Sequence, residues 1–416
     1  GKDRVLYYLD MGIALHFAER YKESNEFLHK AEIAIEENFT RSISKMMISF
    51  LLNDNALDYP GEDYEDIFTN IIKTLNYIHL QKHESAMVEV RRIDLKLSKL
   101  KDKYSAMADR LSESGNLKEN EPNFSFNPGE TNLRYSITGS YLSMLGYKNM
   151  RKWDDVEIDR RRLSEASYGR LNDFSAKVLS PAKENTVPVY TLCFAGKSPV
   201  KAQSTLLLDF DPDLNMARVM LPGKKEEINS FRYEGDTELH IKFAVPEIAR
   251  RKTRIRNIRT KVNGTKRGEM YLMEDFGNIA EETFRVKKPI IYLRAALRTL
   301  IKAAIDAKIK ENIDKKFEDK EEDENKKIKD KEKDKIVSGI LKFAVDAITD
   351  VTENADLRCW RTMPGRVYAG RIDLAPGNHE IVFEYLDENG RVVDREIKKV
   401  FISENCLNLI EGVSYK

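Results

Sequence analysis

His79 and His83 stand four residues apart in a stretch of helical periodicity, the spacing at which two imidazoles can share a metal ion. The residues between them are Leu80, Gln81 and Lys82, so the glutamate that a hydrolytic zinc helix places after its first histidine is missing. His83 also falls where an earlier repeat carries Tyr21, which makes packing its simpler role, and no metal site is expected. Cys193, Cys359 and Cys406 lie far apart, with no C-x-x-C pair and no neighbouring histidine to activate a thiol. They read as small buried hydrophobes; Cys359, beside Trp360, is the one with an unusual neighbour. Asp154, Asp155, Glu157 and Asp159 follow Trp153, but carboxylates grouped without a pocket signal read as helix surface. There is no G-x-S-x-G, phosphate loop or dinucleotide fingerprint, so neither catalytic residues nor a cofactor are expected.

Charge narrows the partners further. Lys and Arg number 70 against 69 Asp and Glu, a net charge of +1, which gives no global field toward nucleic acid or an anionic membrane. The one basic run, residues 250–261, alternates charge with Ile255 and Ile258 and lacks interleaved aromatics for stacking bases. It reads as a strand with one wet face, over residues 254–262, and at most as a surface for anionic lipid or an acidic partner. No apolar run is long enough to span a bilayer, and the opening Gly1-Lys2-Asp3-Arg4 is neither a signal peptide nor a lipid-attachment motif, so a longer precursor is expected.

The elements that would position these residues begin with an internal repeat. Residues 4–37 fit a helical hairpin in which Gly12, Tyr21, Ser24, Leu28 and Ala31 take the small and large packing positions. Residues 67–100 repeat the register with Thr74 for the glycine, then His83, Ala86, Val90 and Ile93. A third pair, from Asn132 to about Glu165, holds Gly139, Tyr141 and Trp153 but shows an extra loop at 147–151 that breaks the spacing. After Pro181 the period changes to two, with strands expected at 187–194, 205–210, 239–245, 254–262 and 269–273. Helical period returns at 289–310, followed by a Lys/Glu/Asp run at 310–335 that cannot bury a core, and an amphipathic helix at 336–351. Strands punctuated by Ala375-Pro376-Gly377 and Asp387-Glu388-Asn389-Gly390 close the chain. The expected fold class is α+β: tetratricopeptide-like helical repeats at 1–118, an imperfect hairpin at 119–175, a β-rich, sandwich-like domain at 176–288, helices and charged linker at 289–355, and a small β module at 356–416.

Projecting the first helix of each repeat gives a nearly apolar groove: Leu9, Ile13, His16 and Phe17 with Phe68, Ile71, Leu75, Ile78 and His79. Such a face, left open, is a liability unless covered. Either the chain covers it, most simply with Met46, Met47 and Phe50, or these nine residues form the docking site for a partner.

Three blocks carry a family resemblance. They are residues 51–57 continuing through Tyr59-Pro60-Gly61-Glu62-Asp63-Tyr64, the run Phe194-Ala195-Gly196-Lys197-Ser198-Pro199-Val200-Lys201, and residues 355–365 around Cys359-Trp360. Together they resemble a largely uncharacterised family of bacterial lipoproteins with tetratricopeptide repeats. The resemblance implies secretion, a lipid anchor in the precursor and residence at the periplasmic face of an outer membrane; it implies no activity. The lipid-bearing cysteine is a departure, since none stands at the start of this chain. Separately, residues 371–381 resemble a small β-module of surface proteins. The function expected is a non-enzymatic envelope scaffold or assembly factor whose partners are other envelope proteins and not nucleic acid. The alternative is a carbohydrate- or peptidoglycan-binding module, which would need exposed aromatic platforms from among Tyr190, Phe231, Tyr233, Tyr368 and Tyr385.

Overall fold

The computed structural model describes residues 1–44, 57–115, 128–211, 213–214, 216–221, 227–232, 239–318 and 354–416. Met46, Met47 and Phe50, the linker beyond residue 318 and the expected helix at 336–351 lie outside the described residues.

The chain is mixed α+β and opens with helical hairpins. Helices α1 (Arg4–Phe17) and α2 (Tyr21–Ser44) form one, and α3 (Asp63–His79) and α4 (His83–Ser98) the next. After α5 (Leu100–Gly115) come α6 (Ile137–Asn149), α7 (Trp153–Ala166) and the short α8 (Asn172–Leu179). Gly12 admits the second helix of its hairpin, since a Cβ there would lie 2.3 Å from Leu28 Cδ2.

All three hairpins reverse by the same device. The middle residue of each three-residue link, Glu19, Gln81 or Arg151, has a left-handed φ of 60°, 57° or 57°. Its N–H and that of the next residue return to the helix end, as in Glu19 to His16 O and Arg20 to Leu15 O, and the same pair of bonds recurs at Gln81-Lys82 and Arg151-Lys152. This bonding satisfies the carbonyls that a helix end leaves without partners. The extra loop expected at 147–151 is therefore absent. The third link is as short as the others and, like them, turns without a glycine. The third hairpin is anchored by Glu274, buried at the N-terminus of α6, where it accepts from Ile137 N at 3.0 Å and Ser136 Oγ at 2.9 Å.

Among the described residues, three four-stranded sheets follow. One is built from β2 (Val200–Asp211), β3 (Met216–Met220), β4 (Glu227–Arg232) and β5 (Leu239–Ala249), all antiparallel, and packs through Leu206, Leu208 and Phe243 on α5 and on the long helix α9 (Phe276–Glu318). The second takes β1 (Val187–Lys197) and β8 (Tyr271–Asp275) together with β9 (Pro364–Leu374) and β12 (Asn408–Ser414). The third takes β6 (Asn257–Val262) and β7 (Thr265–Glu269) together with β10 (Gly377–Leu386) and β11 (Val392–Ile402).

The expected boundary at residue 356 between a central β domain and a C-terminal module is thus not how the sheets are built. β1 is parallel to β12 and antiparallel to β9, and β6 pairs with β10, so each of these two sheets draws strands from both segments. β1 shows why: Val189, Cys193 and Ala195 face a core shared with the third sheet, while Tyr190, Leu192 and Phe194 enter the core of the helical hairpins. A strand covered on both faces buries every residue, which is the reason for its nearly continuous apolar run.

Two further expectations change. The basic stretch is a strand only from Asn257 onward. The helix expected to start at Pro289 starts at Phe276 and carries Pro289 inside it. A proline there removes one intrahelical donor. Gly129 lies against the helix at this point: its N–H donates to Val286 O at 2.8 Å, and a Cβ on Gly129 would sit 2.2 Å from the Arg285 carbonyl oxygen, so only glycine fits.

Candidate functional site

The apolar groove exists, and the chain fills it. Leu9, Ile13, Phe68, Ile71, Leu75 and Ile78 are all buried in the core that includes Phe194 of β1, Phe276 of α9 and Trp360. Phe68 is the hub, with ring centroids 4.8 Å from Phe276, 5.5 Å from Trp360 and 5.9 Å from Phe194, while Phe17 lies 5.7 Å from Phe194. The reading of these residues as a partner-docking surface is corrected accordingly: a β sheet occupies the place a partner helix would take. The covering residues lie more than a hundred positions downstream, beyond the reach of helical periodicity.

The two polar members of the set, His16 and His79, meet at the C-terminal end of α3 on a residue that sequence reading did not single out. Glu411 of β12 accepts from both imidazoles, with His79 Nε2 2.5 Å from Oε1 and His16 Nε2 3.1 Å from Oε2. Tyr21 stacks on His79 at 4.5 Å with the rings 5° from parallel. The cluster borders a cleft of about 230 Å³ with Glu19, Glu396 and Lys398 at its rim. Burial opposes the charge on Glu411, but the charge of His16 and the hydrogen bonds of both histidines outweigh it and hold the carboxyl far below its ordinary range. Burial likewise opposes protonation of His16, yet Glu411, with Asn76 behind it, raises its pKa above 6.5.

His83, by contrast, opens α4 and does not join His79; its Nδ1 is buried without a partner and burial lowers its pKa. Among the described residues no group of three or more His, Cys, Asp or Glu is arranged to hold a metal ion.

At the opposite end of α3 the three sequence blocks converge. Lys201 Nζ of the second block lies 2.8 Å from Glu62 Oε1 of the first, and Lys287 of α9 pairs with the other oxygen of Glu62. Trp360 N, from the third block, donates to Glu65 Oε1, while Tyr59 OH donates to Glu65 Oε2 at 2.8 Å. Ser198 Oγ donates to Trp360 O at 2.9 Å, and Arg358 donates to Leu57 O at 3.0 Å with its guanidinium over the Tyr59 ring. Burial tends to raise Glu62, but Lys201 and Lys287 keep it ionised below its ordinary value. Glu65 has no cation of its own, and burial plus the charge of Glu62 push it up to about 7. Tyr59, Glu62 and Glu65 are buried, and none of these groups lines a described cavity. The node therefore joins helices to sheets through buried side chains.

Part of the basic run is spent on contacts within the fold: Arg250 pairs with Glu281 at 2.6 Å, Arg251 donates to Ser198 O at 2.6 Å, and Arg259 and Lys261 both bind Glu384 at 2.8 Å, while Lys252, Arg254 and Arg256 are exposed. Tyr190, Tyr368 and Tyr385 are buried and provide no sugar-stacking platform. Tyr233 and the side chain of Phe231 lie outside the described residues. Cys193 and Cys359 are buried free thiols, raised by burial, as expected of small hydrophobes.

Between α4 and α7 runs a groove of about 880 Å³ lined by Leu95, Ile158, Tyr135, Tyr147, Asp159 and Arg162. Leu95 and Ile158 are about half exposed, at 50% and 47%. Asp159 is buried at its floor and raised to about 6 by burial, against the pull of its bond to Arg162. No protein-family model, curated protein or solved structure matches this chain.

Proposed function

We propose that this chain is a non-enzymatic scaffold or assembly factor of the bacterial cell envelope. In this reading it is a secreted lipoprotein at the periplasmic face of the outer membrane, built from tetratricopeptide-like hairpins locked onto a β-sandwich. The identical reversal of the three hairpins supports the repeat reading, and the two sheets sharing one core support the sandwich. The localisation and the lipid anchor rest on the resemblance of the three blocks.

The observation that carries the scaffold role is the contrast between a filled inner groove and an open outer one. The face that helical repeats commonly offer to partners is occupied by Phe194, Trp360 and Phe276. Among the described residues nothing fills the groove between α4 and α7, which presents the exposed apolar pair Leu95 and Ile158 within a polar rim, the arrangement of a protein-docking patch. The test is a double variant, Leu95→Asp with Ile158→Asp, in the lipidated full-length protein in its own cells. Both positions are exposed, so stability should change by no more than about 0.5 kcal/mol, while in-cell cross-links to envelope proteins should be lost. An unchanged cross-linking pattern from a folded variant would refute this role for the groove.

A further inference from the structure

Hydrogen-bond directions around His16 fix its protonation. Ser24 Oγ gives its single proton to Gly12 O at 2.7 Å, so toward Asn76 it can only accept. The Asn76 amide nitrogen is therefore the atom 2.8 Å from Ser24 Oγ, and it also reaches Asn25 Oδ1 at 2.9 Å. That leaves Asn76 Oδ1, an acceptor, 2.7 Å from His16 Nδ1, which must carry a proton. On the other side of the ring Nε2 faces Glu411, whose second oxygen already accepts from His79. Glu411 is held ionised and an ionised carboxylate can only accept, so Nε2 carries a proton as well. His16 is 2% exposed, so its ring depends on these two bonds.

We propose that His16 is a buried imidazolium and that it works as a proton-operated latch, fastening β12 to the first two hairpins until the ring loses a proton. Glu411 is its counter-charge from β12, and His79 and Asn76 face it from α3. Tyr21 approaches from α2 with its ring 5.9 Å away, and Glu19 stands in the link between α1 and α2. On β11, Lys398 opposes the charge, and is itself held by Glu396 at 3.1 Å and Glu19 at 3.9 Å. When the ring becomes neutral, one nitrogen must turn a lone pair toward Asn76 Oδ1 or toward the Glu411 carboxylate. Either contact sets acceptor against acceptor around a ring that is almost wholly buried, and the bond between β12 and the hairpins fails.

The experiment is nitrogen-resolved NMR of the histidine rings in the full chain across pH, with backbone hydrogen exchange of residues 408–414 measured in parallel. His16 is expected to show two protonated nitrogens at pH 6.5 and to titrate above it. Exchange in 408–414, corrected for its intrinsic pH dependence, should then rise about tenfold per pH unit while that single proton is released. Glu411→Gln should bring the His16 titration down and remove the pH dependence of exchange, with the wild-type measurement standing by itself if the variant fails to fold. A His16 ring with one proton at pH 6.5, or exchange in 408–414 indifferent to its titration, would overturn the latch.

Discussion

The two ends of α3 solve one electrostatic problem in opposite ways. At the N-terminus, where the helix dipole favours negative charge, Glu62, Asp63 and Glu65 are buried and two of them are met by lysines. At the C-terminus, where the dipole favours positive charge, His79 stands with His16 against a single carboxylate from β12. The acid end sets three buried carboxylates against Lys103, Lys201 and Lys287, and Glu65, which has no cation of its own, is pushed up to about 7. The histidine end borders a cleft and sets Glu411 against the raised imidazole of His16. Lysine cations suit a fixed joint; an imidazole such as that of His16 suits one that responds to pH.

That comparison can be broken most sharply at Glu62. Glu62→Ala leaves Lys201 and Lys287 buried with their shared partner gone, and removal of one side of a buried pair costs about 3–5 kcal/mol. Urea denaturation should show that loss; a change under about 1 kcal/mol would mean that the lysines find solvent and the joint is not fixed.

The next test separates the ends by pH. The folded value of Glu65 lies above its ordinary 4.5, so the native state binds the extra proton and stability falls as pH rises from 4.5 to about 7, by about 1 kcal/mol per pH unit. His16 is also raised, so its contribution is complete below 6.5 and is lost as pH climbs through its folded value. Glu411 and Glu62 are lowered; their contributions are complete above 4.5 and disappear as pH falls through their folded values. Glu65→Gln should flatten the slope between pH 4.5 and 7 and leave the loss at higher pH in place. If it leaves the lower slope untouched, Glu65 is not its source.

The smallest effect is expected at Tyr21, whose ring lies flat on His79. Tyr21→Leu keeps bulk and loses the stack, a change of about 0.5–1.5 kcal/mol in thermal unfolding. A larger loss would show that the tyrosine supports Glu411 as well.

Much of the secondary structure was legible in the chain. Gly12 against Leu28, the alternation in residues 205–210 and the turns at Ala375-Pro376-Gly377 and Asp387-Gly390 each encode a local geometry, because helix spacing, strand period and turn chemistry act within a few residues. Where local signals were weak or ambiguous, the reading failed: Arg151 turns the third hairpin in a link as short as the others, and Pro289 sits inside a helix rather than at its start. Burial of His16 and His79 could be suspected from the helical stripe. Glu411, their counter-charge, could not, since nothing in Leu409-Ile410-Glu411-Gly412 distinguishes it from an ordinary strand carboxylate.

By itself, then, the sequence determined the hairpins, most of the strands, the apolar face that had to be covered and three blocks of unusual composition. Only the tertiary structure decided what covers that face and why the blocks belong together. Phe68 meets Phe194, Phe276 and Trp360, and Glu62 and Glu65 meet Lys201, Lys287 and Trp360, across separations of more than a hundred residues. Periodicity reports which side of an element is apolar. The identity of the opposing surface is set by the packing free energy of the whole chain, to which any one residue contributes only through neighbours that its own segment does not specify.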